Sequence, residues 1–144
     1  MIGSYGTGTG PPTLIFTIRW GGVAGTVLSK SGAIATTASF GGGASMTALW
    51  SMEAFIQTRA NGSAGSLMTN GEIMLYSATI PTGGTVTHYG MPAPLASGST
   101  GGSTPVAVTA DLTADTALSM TATWSASSTA HSIQALNYSI EAMN

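Results

Sequence analysis

Cysteine is absent from the chain, which excludes disulfides and thiolate metal sites and leaves stability to packing alone. Charge is nearly as scarce. Three basic and five acidic residues make up 6% of the 144 residues, for a net charge of −2, where a globular domain usually carries about 25%. Phosphate backbones are held by clustered Lys and Arg, and no such cluster exists, so no nucleic-acid partner is expected. Long apolar runs are missing as well. The uncharged interval from Ser31 to Met52 is broken by Gly41-Gly42-Gly43 and several hydroxyl residues, and no run of 18 or more apolar residues occurs, so no membrane-spanning helix is expected. The opening Met1-Ile2-Gly3-Ser4-Tyr5 lacks a basic region followed by an apolar core, and no secretory signal is expected.

What is present is periodicity. A chain of this length buries about 68–70% of its unfolded surface, enough for one real core. Its apolar residues are ordered by parity, unlike those of a disordered chain. From Thr116 onward, Leu118, Met120, Ala122, Trp124 and Ala126 alternate with Ser119, Thr121, Thr123 and Ser125, which reads as a half-buried strand. Beyond the break at Ser127-Ser128-Thr129-Ala130 the alternation resumes to Asn144. The expectation is a long closing antiparallel hairpin, its large side chains forming the wall on which the rest packs.

Residues 1–12, rich in glycine and ending in Pro11-Pro12, read as a flexible or extended N-terminal arm. The remainder, 13–144, reads as a single domain. Gly6-Thr7-Gly8-Thr9-Gly10 is no phosphate loop, because no strand precedes it and the Walker lysine is missing. Thr13 to Trp20 alternates as a strand, with Thr26 to Leu28 and Ala33 to Ala38 as weaker candidates and Lys30-Ser31-Gly32 as a tip between them. Met46 to Arg59 alternates for so long that a strand of roughly 45 Å is expected. Asn61-Gly62 marks a hairpin turn into Ser66 to Ser77, with a bulge or second turn at Asn70-Gly71. The segment from Ile80 to Thr104, with its prolines and glycines, reads as surface loop around a short edge strand at Thr85 to Tyr89. Val106 to Ala110 is a further strand. The fold class is therefore all-β: an antiparallel two-sheet sandwich, best a jelly roll, of about eight strands, with an immunoglobulin-like sandwich second.

No catalytic constellation emerges. His88 and His131 lie outside any ligand spacing. Of the carboxylates Glu53, Glu72, Asp111, Asp115 and Glu141, the two at 111 and 115 flank a turn, where Asp bonds its own backbone. Glu53 and Glu141 lie on polar strand sides. No calcium-loop spacing is present, and no Gly-x-Ser-x-Gly elbow activates a serine. Neither catalytic, metal nor cofactor-binding residues are expected. Trp20, Trp50 and Trp124 follow the apolar parity and are expected in the core, with Trp124→Ala costing about 3–5 kcal/mol.

The scarcity of charge carries the functional clue. The row Ser119, Thr121, Thr123 and Ser125 occupies a sheet side where a solitary protein usually places Lys or Glu. Either threonine simply suits strands, or a second copy covers this side. The positive mean hydropathy favours the second. An uncharged arm carrying Tyr5, Pro11 and Pro12 could lie across a neighbouring subunit in the same assembly.

Two segments resemble a known family. Phe16-Thr17-Ile18-Arg19-Trp20-Gly21-Gly22-Val23-Ala24-Gly25-Thr26 and the run Asp111-Leu112-Thr113-Ala114-Asp115 through Trp124-Ser125 are similar to small β-rich virion proteins of tailed bacteriophages. Trp50 to Arg59 and Ile140-Glu141-Ala142-Met143-Asn144 look similar too. The resemblance implies a jelly roll that trimerises on the virion exterior as a capsid decoration or head-fibre protein, with itself and capsid or tail proteins as partners. It transfers no catalytic residue. Little precedes the first strand, which favours direct docking on the particle over a stalked fibre. The alternative is a tail-fibre tip binding a host receptor or surface glycan through Pro92 to Gly102 and the turn at Lys30. A third class, a glycan hydrolase, would need two carboxylates such as Glu53 and Glu72 in a cleft.

Overall fold

The computed structural model describes residues 1–7, 12–35, 46–76, 90–98, 106–129 and 131–142. Among them there is no helix, and every strand pairing is antiparallel. The strands are β1 (Ile2–Thr7), β2 (Thr13–Trp20), β3 (Thr26–Ser31), β4 (Ile34–Ala35), β5 (Met46–Ala60), β6 (Gly65–Tyr76), β7 (Gly90–Ser97), β8 (Val108–Ala110), β9 (Leu118–Trp124) and β10 (Ser132–Asn137). Hydrogen bonding runs along β10-β1-β5-β6-β7-β3-β2, with β9 on the far side of β2, β4 extending β3, and β8 extending β7 along β6. This path folds over on itself. Phe16 of β2 and Trp50 of β5 lie far apart along it, yet their rings meet at 5.2 Å.

Parity builds the core between the two layers. Leu14, Phe16 and Ile18 of β2 face Leu67, Ile73 and Leu75 of β6 and Trp50 of β5, all buried. Opposite β2, the residues of β9 fall in register: Leu14 with Trp124, Phe16 with Ala122, Ile18 with Met120. The expected inward side of β9 is therefore the observed one. Being at the edge, Trp124 is only half-buried and stacks on His131 at 5.1 Å. The fully buried indole is Trp50, at 0% exposure, so the 3–5 kcal/mol cost of a large-to-small change applies there, and Trp124→Ala costs less.

Several expectations need correction. The closing hairpin does not form: β9 pairs with β2 and β10 with β1. Local alternation defined both strands, but partners far away in sequence outcompeted the adjacent one. Residues 138–142 lie outside any strand, and Tyr138 and Ile140 are 67% and 72% exposed instead of walling the core. The arm is no free arm either. Ile2–Thr7 is a strand held on both sides, by β5 and β10. It was hidden because Gly3 carries no side chain to show parity, and that absence is what the position requires: a Cβ on Gly3 would meet the Trp50 indole and the Gln134 carbonyl. Lys30 and Ser31 belong to β3, not to a tip.

Gly71 makes no bulge, since β5 and β6 pair regularly across it. A Cβ there would meet the Glu53 carbonyl and Ala54. The one irregularity of this pair falls between Thr58 and Ala60. Gly90–Ser97, expected as loop, is a strand despite Pro92 and Pro94. Proline is tolerated where its missing N–H has no ladder partner, and β3 reaches only Leu95–Ser97 of β7. The strand expected at Thr85 to Tyr89 lies outside the described residues, as do Pro11 and His88.

Candidate functional site

Of the residues expected to make assembly contacts, Tyr5 is consumed within its own chain. It is 1% exposed, and its hydroxyl donates to the Tyr76 carbonyl at 3.3 Å. Burial pushes this phenol up to about pKa 12. Pro12 is buried too. Ser125 is exposed but locally engaged: its Oγ accepts from the Thr13 N–H at 2.8 Å, and its own N–H donates to the Thr13 carbonyl at 2.9 Å. Ser119, Thr121 and Thr123 face outward, opposite Arg19, Thr17 and Ile15 of β2.

This outward face of β9, β2 and β3 carries a feature that the hydroxyl row alone did not announce. A recess of about 190 Å³ is lined by Ile15, Thr17, Arg19, Val27, Lys30 and Thr123. It holds two of the chain's three cations. The register explains why. Ile18 pairs with Ser29 but Arg19 with Val27, so Leu28 is an extra residue in β3. Leu28 and Ser29 both turn inward and are buried. The bulge thereby re-aims the strand, and Val27 and Lys30, three apart, both reach the outer face beside Arg19. The Leu28 carbonyl accepts from the Gly98 N–H at 2.7 Å, which pins the bulge.

Arg19 is positioned by a hydrogen bond from Nη1 to the Gly25 carbonyl at 2.9 Å, while among the described residues its buried Nε has no acceptor. Among the described residues no hydrogen bond or ion pair engages the Lys30 ammonium. The signal available in the sequence was the outward parity of Ile15, Thr17 and Arg19. The bulge that adds Val27 and Lys30 had none.

The outward face of the other layer is different. Trp50, Leu75, Tyr5 and Ile133 point to the core, so their neighbours point out. Ile2, Leu49, Tyr76 and Leu136, from four adjacent strands, stand between 42% and 57% exposed. Further along the same face Glu53 and Glu72 sit directly opposite one another, both exposed. Asp111 is a turn residue, as expected: its Oδ1 accepts from the Thr113 hydroxyl at 2.6 Å and the Thr113 N–H at 2.9 Å, and both bonds lower its pKa. Among the described residues no group of three or more His, Asp or Glu could hold a metal ion. No family model, no curated protein and no solved structure matches this chain.

Proposed function

We propose that the chain is a homotrimeric structural protein of a tailed-bacteriophage virion, a jelly-roll subunit that decorates and stabilises the particle exterior. The observation that carries the self-association is the apolar outward face of β10, β1, β5 and β6. Ile2, Leu49, Tyr76 and Leu136 stand there at about half exposure, with Ser4 and Ser51 between them, and an exposed cluster of large apolar side chains marks a protein contact. A second copy is the occupant, because this part of the face carries no charge and a net-acidic chain meets its own kind most easily there.

Four nested strand pairs, β1 with β10, β2 with β9, β3 with β7 and β5 with β6, are what one long hairpin wound on itself produces. They support the jelly roll. The family resemblance supports the trimer and the virion.

Light scattering on the purified chain at micromolar concentration should give a trimer that persists on dilution, and the double variant Leu49→Ser/Leu136→Ser should give a folded monomer. A wild-type monomer would refute the reading. A second reading, a fibre tip that recognises a host glycan, is favoured by one observation, the cationic recess on the opposite layer.

A further inference from the structure

We infer that the recess on the outer face of β2 and β3 is a binding site for a small carboxylate, of the size of one acidic sugar unit. Its dimensions set the class. About 190 Å³ lies below the roughly 300 Å³ at which drug-sized pockets begin and holds the volume of about six water molecules, which suits a single ring or smaller. Its charge sets the sign. Two of three cations in a chain with almost no charge converge here, and among the described residues no acidic one lines the recess.

The arrangement is built rather than scattered. The Leu28 bulge turns Val27 and Lys30 outward together, and Arg19 is tethered through Nη1, which leaves donors of its guanidinium uncommitted. A carboxylate accepting from Arg19 and Lys30 would form charge-assisted bonds, stronger than neutral ones. Thr123 supplies an exposed hydroxyl for the remaining polar groups of such a ligand, Thr17 lines the recess at 4% exposure, and Ile15 and Val27 offer apolar contact to its ring carbons.

Thr123 of the β9 hydroxyl row thus acquires a role that does not require a second copy. Because the apolar face lies on the other layer, the site is open in a monomer and in the assembly proposed above, and the two ideas fail separately.

The test is a titration of the intact protein followed by amide chemical shifts, with glucuronate, acetate and glucose as the three probes. Glucuronate should move the amides of Thr17, Arg19, Lys30 and Thr123 saturably, acetate should move the same set more weakly, and glucose should leave them in place. Lys30→Gln, which keeps the side-chain stem and an outward strand position, should weaken glucuronate binding by about tenfold with the remaining spectrum unchanged. Equal binding of glucose, or glucuronate shifts that Lys30→Gln does not weaken, would overturn the assignment.

Discussion

Tyr5 shows how a residue can be misjudged when its setting is poor in side chains. Amid Gly3 and Gly6 it looked like an ornament on an arm, yet its ring fills the core and its hydroxyl reaches the Tyr76 carbonyl. Burial has a consequence for pH. The folded state holds the phenol protonated up to about pH 12, whereas the unfolded chain releases that proton near pH 10. A raised folded pKa contributes stability that is complete below the unfolded value and lost as pH rises towards the folded one. Stability should therefore fall between about pH 10 and pH 12. Urea midpoints measured at about pH 9 and about pH 11 should differ clearly in the wild type and by less in Tyr5→Phe. An equal alkaline loss in both proteins would show that the buried phenol is not its source.

Between elements, the readable part of the fold is the part in which side chains alternate without interruption. The strands β2, β5, β6 and β9 were legible from parity, and Asn61-Gly62 announced the turn between β5 and β6, where Gly62 has φ +108°. Three things were not legible. Glycine hid β1, proline hid β7, and no local rule told β9 and β10 to pair with β2 and β1 instead of with each other. The same limit governs the recess: the outward threonines could be read, but the bulge at Leu28 is a property of register, which exists only once two strands have met.

The turn offers a direct check at this scale. Gly62→Ala forces a side chain into a left-handed conformation and should cost about 1–2 kcal/mol. Gly32, between β3 and β4, has open space around a Cβ and no positive φ, so Gly32→Ala should be neutral or slightly stabilising. Urea denaturation of the two variants measures the difference, and equal costs would contradict the assigned turn geometry.

Across the whole molecule the nested pairing ties the two ends of the chain to its middle. The Met1 ammonium donates to the Met52 carbonyl, and the Thr13 N–H to the Ser125 hydroxyl 112 positions away. The first strand cannot be held on both sides until β10 arrives. Apart from the β2–β3 and β5–β6 hairpins, little of this structure can therefore form from neighbouring residues. Loop-closure entropy must be met before the long-range contacts repay it, and chains dominated by such contacts fold in milliseconds to seconds where helical bundles need microseconds. Stopped-flow refolding followed by tryptophan fluorescence should place this protein at the slow end. The buried Trp50, whose ring is enclosed by Phe16 and by the backbone of Gly3, should report the final closure. Trp50 and Phe16 come from opposite layers, so their contact forms only when the sheet folds over. Phe16→Leu, which loosens that contact, should speed unfolding more than it slows folding if closure follows the transition state. A microsecond refolding phase carrying the full fluorescence change would contradict the nested topology, because no set of local contacts in this sequence could bury Trp50 on that timescale.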